Sequence, residues 1–382
     1  MKILHVMPNI NRRFGGPVES LIGYAKAAGL KEIKVDVAAP ESSESDMKWL
    51  REQLPGVTFH LFKSWGRHVW IVSQGLWRWL RKNGNEYDVI HIHGLFNPIS
   101  SFSATICRKK RFRYVIRPFG TLSRYTFSRI RWFKLPWFRM FDKPNLAKAD
   151  GVHFTTEAEQ SEAGRLDLPL QNSGVVVPPP YRGVMAESGK ETEKFSEPVC
   201  LYMSRLHPKK NVENLIRAWP AVQEEQPLAR LIIAGSGDDE YEASLLNLLD
   251  ELDIKESVEF AGFVTGAEKS DLLNRAWIFA LPSHHENFGV AVLEAIAAGL
   301  PVVISEDVQL VTFIKETNTG KVALKDPASI AEAITDLFKE KNYRSRVHSQ
   351  GPKEVQKAFS LESVGEQLKK MYGDVASKNS NL

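Results

Sequence analysis

Cysteine is scarce in this sequence. Cys107 and Cys200 are the only two among 382 residues, and they lie far apart without metal-site spacing. Neither a disulfide framework nor a zinc site is therefore expected, and both thiols are predicted to be buried in a reducing compartment. No apolar run approaches the length of a membrane-spanning helix, and the one at the amino terminus is too short for a signal peptide. These absences predict a cytoplasmic protein, with peripheral attachment to the inner face of a membrane left open.

Positive charge is distributed unevenly along the chain. The net charge of the whole chain is +4, but its two parts differ in sign. Residues 1–182 contain 28 Lys and Arg and 15 Asp and Glu, whereas residues 183–382 contain 22 Lys and Arg and 31 Asp and Glu. The segment from Arg108 to Arg139 has 11 basic residues and no acidic one, and a second basic stretch runs from Lys63 to Trp70 and on to Trp77 and Trp79. The aromatic residues interleaved in the longer segment are Phe112, Tyr114, Phe119, Tyr125, Phe127, Trp132, Phe133, Trp137 and Phe138.

Basic and aromatic residues together favour an anionic membrane surface, where cations meet headgroups and rings settle at the interface. The alternative is that the rings belong to the core and the cations are merely solvated. Nucleic acid is the other partner that such a patch suggests. No recognisable nucleic-acid module accompanies the patch, so no nucleic-acid partner is expected.

Strand-like and helix-like segments alternate along the chain, which is typical of parallel sheets flanked by helices. The predicted strands are 2–7, 34–38, 87–93, 114–117, 151–154, 199–203, 230–234, 258–260, 277–282 and 301–305. The predicted helices are 17–28, 211–226, 240–252, 289–298 and 361–372. Prolines and a polar run between the two series indicate a linker.

This pattern predicts an α/β protein with two Rossmann-like domains. The expected boundaries are 1–180 for the first domain, 181–197 for the linker, 198–360 for the second domain and 361–376 for a terminal helix. Neither half has the complete glycine fingerprint with its downstream acid, which disfavours a NAD-dependent oxidoreductase. Ligands in such sheets bind beyond the carboxyl ends of the strands.

Two glutamates mark one of these strand ends. Glu286 is predicted on the loop that follows strand 277–282, and Glu294 lies eight positions later inside an apolar helix. A carboxylate among apolar residues is costly to bury unless it receives hydrogen bonds. A polyhydroxyl ligand is expected to supply them, whereas the plainer interpretation of a lone helix glutamate is a surface salt bridge.

The glutamate pair resembles the E-x7-E element of retaining glycosyltransferases of family 4. Further matching segments occur in the family's order: Ser204–Lys210, Ala234–Gly237, Phe260–Val264 and Gly299–Val303. The resemblance covers nearly the whole chain. It implies the GT-B fold, in which two Rossmann-like domains face each other across a deep cleft and a carboxyl-terminal helix packs back on the first domain.

The resemblance also implies roles for individual residues. Glu286 would bind the donor sugar and Glu294 the nucleotide ribose. Arg205 and Lys210 match the family's diphosphate-binding pair, and their cations would stabilise the negative charge that grows on the leaving diphosphate. Lys210 is predicted near a helix start, where the helix dipole also favours an anion.

Further residues are implied at both strand edges. Gly15 and Gly16 would let backbone N–H groups approach the donor phosphates, and His93 would contact the sugar or the reaction centre. The segment Arg117–Gly120 resembles the acceptor side. Five residues complete the implied donor site. Asn287, Phe288 and Gly289 lie at a helix start, where free N–H groups bind hydroxyls or phosphate, and Phe263 and Val264 lie beside the base.

No strict Asp-x-Asp motif occurs in the sequence. We therefore expect no metal and no cofactor, with a UDP-hexose as co-substrate and Arg205, Lys210 and a helix amino terminus in place of the cation. The sequence also offers no carboxylate pair for double displacement. The expected route to retention is attack on the same face as the departing diphosphate, whose oxygen accepts the acceptor's proton.

The leading hypothesis is a retaining transferase that moves a hexose from a UDP-sugar, UDP-glucose first, to a lipid-linked saccharide or polysaccharide precursor. One alternative keeps the fold but uses GDP-mannose or a soluble acceptor. Another is a non-catalytic module that binds nucleotide sugars or polyanions.

Overall fold

The structure, a computed structural model, describes residues 1–67, 70–123, 126–127, 134–166, 168, 170, 174–183, 185 and 194–378. The chain divides into two compact units. Unit 1 consists of Met1–Arg182 and Phe359–Leu382, and unit 2 of Gly183–Ala358.

Unit 1 contains a seven-stranded sheet whose neighbouring strands are all parallel. The strand order is β3-β2-β1-β6-β7-β8-β9. The strands, with a separate antiparallel hairpin β4–β5, are β1 (Lys2–Val6), β2 (Lys34–Pro40), β3 (Thr58–Phe62), β4 (Trp65–Arg67), β5 (Trp70–Val72), β6 (Val89–His93), β7 (Tyr114–Arg117), β8 (Gly151–Phe154) and β9 (Val175–Val176).

Helices cover both faces of this sheet. They are α1 (Gly16–Gly29), α2 (Glu44–Gln53), α3 (Gln74–Asn83), α4 (Pro98–Lys110), α5 (Lys134–Trp137), α6 (Lys143–Ala147), α7 (Glu157–Gly164) and, from the end of the chain, α15 (Leu361–Ser377). A π-helical turn, Phe138–Asp142, joins α5 to α6. One apolar cluster joins α1 and α15 to the sheet, and a second joins α3 and α4 to it.

Unit 2 contains a six-stranded parallel sheet in the order β12-β11-β10-β13-β14-β15. Its strands are β10 (Val199–Met203), β11 (Arg230–Ala234), β12 (Val258–Gly262), β13 (Ile278–Leu281), β14 (Val302–Ser305) and β15 (Gly320–Ala323). Its helices are α8 (Val212–Glu225), α9 (Asp239–Glu251), α10 (Gly266–Arg275), α11 (Val290–Ala297), α12 (Val311–Thr317), α13 (Pro327–Lys339) and α14 (Lys341–Phe359).

Both sheets have the doubly wound order, in which the chain starts in the middle, runs to one edge and then returns to build the other side. The order reverses between β1 and β6 in unit 1 and between β10 and β13 in unit 2. The loops that follow these strands diverge to opposite faces of the sheet and leave a crevice at its carboxyl edge. The topology therefore singles out the segments after β1, β6, β10 and β13.

The predicted α/β class is confirmed, and most predicted elements are present with ends shifted by one or two residues. Strand 87–93 begins later, at Val89, because Tyr87 ends the 3₁₀ turn Gly84–Glu86 and its N–H donates to Gly84 O over 3.4 Å. The predicted terminal helix runs further, to Ser377. Several elements were not predicted, among them β3, β9, β15 and the β4–β5 hairpin.

Gly235, directly after β11, is required by a close backbone approach. Its φ is +152°, and a Cβ built there would lie 1.9 Å from the main-chain oxygen of Ser204. We predict that Gly235→Ala lowers the stability of unit 2 by roughly 1–3 kcal/mol, because the backbone has to move apart. Urea unfolding of the variant measures the loss.

Gly262→Ala is the matched control for this prediction. Gly262 also has a positive φ, +67°, but no atom lies within 4 Å of its built Cβ. Only conformational strain of about 1 kcal/mol is expected there. A Gly235→Ala protein no less stable than Gly262→Ala would show that the approach to Ser204 is not a constraint.

Candidate active site

The reversal of strand order in unit 2 brings two loops together. The segment after β10 contains Arg205 and Lys210, and the segment after β13 contains Glu286. A main-chain hydrogen bond joins the loops, since His284 N donates to Lys209 O over 2.9 Å. These sequence-predicted residues therefore lie at the carboxyl edge of the sheet.

Lys210 and Glu286 form an ion pair at this edge. Lys210 Nζ contacts Glu286 Oε2, and the two side chains are only 14% and 19% exposed. Lys210 ends a short 3₁₀ turn that starts at Pro208, and α8 begins two residues later. A charge-assisted contact that is largely screened from water holds both groups in a defined position.

The backbone of Glu286 is fixed on both sides by the segment after β14. Glu286 N donates to Asp307 O over 3.0 Å, and Gln309 N donates to Glu286 O over 3.1 Å. The residue thus forms an isolated parallel bridge with Val308. The sequence indicated the loop but not this support, which comes from a segment about twenty positions away.

Glu294 also pairs with a lysine. Its carboxylate lies 2.6 Å from Lys269 Nζ, and the side chains are 18% and 30% exposed. The expectation that a ligand would supply the hydrogen bonds of Glu294 was incomplete, because Lys269 of α10 already supplies one. Lys269 was missed, since only the packing of α10 beside α11 brings it near. Nothing in the local sequence signals that contact.

The start of α11 lies beside this pair of glutamates. Gly289 is its amino-terminal cap, with a φ of +81°, and a Cβ there would touch Glu286 Cγ at 3.4 Å. His285 Nε2 lies 2.8 Å from Asn287 Oδ1. Phe288 is buried.

The ring of His285 is uncharged at neutral pH. Burial is the main cause that lowers its pKa, and the nearby Lys209 charge adds to the effect. The uncharged ring donates its hydrogen bond from Nε2 to Asn287 Oδ1.

Arg205 is exposed at the same edge of the sheet. Within the part of the chain that the structure describes, its guanidinium has no hydrogen bond or ion pair. Phe263, after β12, is 75% exposed, whereas Val264 is buried. An uncommitted cation and an exposed ring are groups that a nucleotide diphosphate could engage through charge and stacking.

Gly15 and Gly16 lie at the carboxyl end of the first strand of unit 1. Gly15 has a φ of +60° and caps α1, which begins at Gly16. A Cβ at either position would meet no atom within 4 Å. Among the described residues, the Gly16 N–H is the donor that this turn leaves free for an anion, because Pro17 has no N–H and Val18 N donates to Gly15 O over 3.0 Å.

His93 ends β6 and belongs to a cluster of buried histidines with His5, His91 and His153. The rings of His5 and His93 stack with centroids 5.0 Å apart, and those of His91 and His93 with centroids 4.3 Å apart. His91 is fully buried. His5 and His153 were missed, because each is a single polar residue in a buried strand.

One ring nitrogen from each of His5, His91 and His93 lies within 4.8 Å of the other two, a spacing that a metal ion could use. Five of their six nitrogens already have hydrogen-bond partners, the exception being His93 Nδ1. The charge of the buried Arg117 also acts on all of these rings. The arrangement therefore favours hydrogen bonding over cation binding.

Arg117 is a buried cation beside this cluster. It pairs in register with His93, stacks over Phe119 at 4.3 Å and Tyr24 at 4.7 Å, and donates to Thr155 Oγ1 over 3.3 Å. Among the described residues, its Nε and Nη1 atoms have no hydrogen-bond partner. Burial raises the pKa of neighbouring Glu159, whose carboxylate accepts from Thr155 N.

The described rings of the basic aromatic segment pack against the rest of unit 1. Tyr114 and Phe138 are buried, and Trp137 packs edge-on against Trp70. The core alternative therefore holds for these rings. The following residues of the segment and its neighbour lie outside the described residues: His68, Val69, Arg124, Tyr125, Arg129, Arg131, Trp132 and Phe133.

Two protein families match this chain. The family described as Glycosyl transferase 4-like domain matches residues 15–180, and the family described as Glycosyl transferases group 1 matches residues 185–354. The chain belongs to family 4 of the GT-B glycosyltransferases. The resemblance in the residue patterns is thus confirmed at the level of the family and of the GT-B fold.

Relatives of this chain match it in part. An uncharacterized glycosyltransferase of Methanocaldococcus jannaschii is 35% identical over 177 residues, 46% of this chain and 45% of the relative. The GDP-mannose-dependent monoacylated alpha-(1-6)-phosphatidylinositol monomannoside mannosyltransferase of Corynebacterium glutamicum is 30% identical over 178 residues, 45% of this chain and 46% of the relative. The chain thus matches less than half the length of these curated relatives.

A solved structure matches this glycosyltransferase over almost its whole length. Anabaena Alr3699/HepE in complex with UDP-glucose has a TM-score of 0.70 and 17% identity, with 98% of this chain and 99% of that chain covered. At this identity the likeness shows the fold. Within the described residues, no helix combines the length and apolarity that crossing a membrane requires.

Proposed function

We propose that this glycosyltransferase moves a hexose from a UDP-sugar, UDP-glucose first, to a saccharide or lipid-linked saccharide precursor of a polysaccharide. The observation that carries the proposal is the Lys210–Glu286 ion pair at the strand-order reversal of unit 2. It places a cation and a carboxylate side by side. Arg205, whose guanidinium has no partner among the described residues, lies on the same loop as Lys210.

These groups suit the chemistry of a nucleotide sugar. When the bond between the sugar and the diphosphate breaks, negative charge develops on the diphosphate, and the Lys210 ammonium and Arg205 guanidinium stabilise it. Glu286 accepts hydrogen bonds from donor sugar hydroxyls, and Lys210 keeps its carboxylate in place. Glu294, held by Lys269, accepts from the ribose hydroxyls.

The proposed reaction retains the configuration of the sugar. The acceptor hydroxyl attacks the anomeric carbon on the face that the diphosphate leaves, forming the new glycosidic bond as the sugar–phosphate bond breaks. The departing phosphate oxygen takes the hydroxyl proton. Lys210, Arg205 and the amino terminus of α11 then carry the electrostatic role without a metal.

The choice of UDP-glucose is supported by the fold neighbour that was solved with UDP-glucose. A second candidate is transfer from GDP-mannose, which is favoured by the GDP-mannose-dependent mannosyltransferase of Corynebacterium glutamicum among the relatives. The two donors differ in base and hexose. Phe263 and Val264 after β12 are the residues proposed to lie beside the base, and Asn287 to Gly289 are proposed to contact the sugar.

A membrane-bound acceptor is supported by exposed apolar groups on unit 1. Trp65 is 58% exposed on the β4–β5 hairpin, and Met140 is 64% exposed in the π-helical turn. Trp70 of this hairpin contacts Trp137, the residue that precedes the turn. Arg139 is exposed beside Met140. An exposed ring and an exposed thioether next to cations suit an anionic lipid surface.

Thermal unfolding with UDP, GDP, ADP and their hexose conjugates, with and without EDTA, tests the proposal. A ligand at 100 times its Kd raises the melting temperature of a unit of this size by about 5–10 °C. We expect a UDP-selective rise that survives EDTA and is lost in Lys210→Ala. A GDP-selective rise would support the second candidate. If no nucleotide raises the melting temperature, a non-catalytic module is favoured. Measurable hydrolysis of the donor would exclude such a module.

A further inference from the structure

A continuous chain of hydrogen bonds runs through the core of unit 1. It begins at the main-chain oxygen of Val177, 2.6 Å from His153 Nε2, and His153 Nδ1 lies 3.2 Å from His91 Nε2. His91 Nδ1 lies 2.8 Å from the hydroxyl of Tyr372 in α15. That hydroxyl is 3.4 Å from His5 Nε2, and His5 Nδ1 is 2.8 Å from His93 Nε2.

The carbonyl oxygen of Val177 determines which atom donates in each hydrogen bond of the first part of this network. A carbonyl oxygen only accepts, so His153 must carry its proton on Nε2. In the neutral ring Nδ1 is then an acceptor, and His91 must donate from Nε2. His91 Nδ1 is an acceptor in turn, so the proton of the Tyr372 hydroxyl points towards His91.

The second part of the chain is determined by Tyr372. Because its proton is used towards His91, its oxygen must accept from His5 Nε2. His5 Nδ1 is then an acceptor, and His93 must donate to it from Nε2. The same tautomer, protonated on Nε2, is therefore required of all four histidines.

A histidine ring that donates from one nitrogen and accepts at the other must be uncharged, and the surroundings of these rings keep them uncharged. Burial lowers the pKa of His5 to about 3, with a further contribution from the charge of Arg117. Burial likewise holds the pKa of His91, His93 and His153 well below the usual range. Burial raises the pKa of Tyr372, so its hydroxyl keeps its proton.

The chain ends on an unused lone pair. His93 Nδ1 is buried and has no hydrogen-bond partner among the described residues. A buried polar atom without a partner needs an explanation, and a role in substrate binding or catalysis is one. His93 is the last residue of β6, at the strand-order reversal of unit 1.

We infer that His5, His91, His153 and Tyr372 form a relay that fixes His93 in its Nε2–H tautomer, so that Nδ1 accepts a hydrogen bond from a sugar hydroxyl. The four relay members are positioning residues. The relay itself rests only on the geometry of unit 1, whereas the identity of the hydroxyl rests on the proposed function. Through its bond to His91, Tyr372 links the last helix of the polypeptide, α15, to β6.

Nuclear magnetic resonance of the full chain labelled with ¹⁵N-histidine tests the relay without a substrate. At pH 7.5 we expect four neutral rings, each protonated on Nε2, assigned by signals lost in single histidine-to-glutamine variants. A ring protonated on Nδ1, or on both nitrogens, at any of the four positions would overturn the relay.

Tyr372→Phe breaks the chain at its centre while keeping the aromatic ring. His153 and His91 remain anchored to Val177, so their tautomers are expected to stay unchanged. His5 and His93 lose the anchor and are expected to show both neutral tautomers, with kcat about 10-fold lower and the KM for the donor unchanged. Unchanged tautomers at His5 and His93 would contradict the relay.

Tyr24→Phe is the matched control. Tyr24 is also buried, and its hydroxyl donates to the same Val177 oxygen over 3.0 Å, but it is not a member of the chain. We expect this variant to keep all four tautomers and its kcat. If Tyr372→Phe shifts the tautomers but leaves turnover at the wild-type value, the relay stands and the proposed contact of His93 with the substrate is wrong.

Discussion

Replacing Lys210 with alanine is expected to lower kcat for sugar transfer by about 10²–10³-fold, the size of effect seen when one group that stabilises developing negative charge is removed. Lys210 is only 14% exposed and contacts Glu286. Its ammonium therefore acts on the leaving diphosphate through a medium poorer in water than the surface. Initial rates with a UDP-hexose donor, compared at equal protein stability, measure the effect.

Lys209→Ala is the matched control for this substitution. Lys209 has the same charge and lies one position earlier in the same 3₁₀ turn, and its main-chain oxygen keeps its bond to His284. A change of less than about threefold is expected, since solvent partly screens the charge of a half-buried lysine that is not assigned a contact with the diphosphate. Equal losses in the two variants would show that general positive charge, rather than Lys210, matters.

Glu286→Ala is expected to reduce transfer as strongly as Lys210→Ala. The substitution removes the proposed sugar contact and leaves Lys210 without its carboxylate. Because the two groups act as a pair, the double variant should lose little more than either single one. Wild-type rates in Glu286→Ala, or effects that multiply in the double variant, would contradict the assignment of a coupled pair.

Mild acid is expected to destabilise unit 1 by about 5 kcal/mol between pH 7.5 and pH 5.5. His5, His91, His93 and His153 are buried, and burial lowers each pKa below its usual value. The unfolded chain binds protons at these rings near pH 6.5, while the folded unit does not. The contribution of these rings to the free energy of unfolding is therefore complete above pH 6.5. It decreases as the pH falls, by up to about 1.4 kcal/mol per pH unit for each ring.

Urea unfolding followed by tryptophan fluorescence measures this loss, because seven of the nine tryptophans lie in residues 1–182. Other charges near the rings are Arg117 and Glu159, and the pKa of the latter is raised by burial. His153→Gln is the control, since removing one ring should reduce the pH dependence by about a quarter. A unit 1 equally stable at the two pH values would mean that these rings are protonated in the folded state.

The sequence alone determined the class of the fold and the family. Short apolar runs that alternate with helix-like segments predicted four strands with the bounds that the structure shows. These strands are Tyr114–Arg117, Gly151–Phe154, Val199–Met203 and Arg230–Ala234. Such strands are buried on both faces, so their composition differs sharply from that of the flanking segments. Segments such as β15, where Gly320 and Lys321 interrupt the apolar pattern, carry no such signal.

The spacing of Glu286 and Glu294 and the position of Lys210 after a strand were likewise visible in the sequence, because each depends on local order along the chain. The tertiary structure decided which side chains form pairs. Lys269 reaches Glu294 only through helix packing. Tyr372 reaches His91 from 281 positions away. Contacts of this kind depend on which helix covers which face of a sheet, and that information belongs to the packed unit rather than to any one segment.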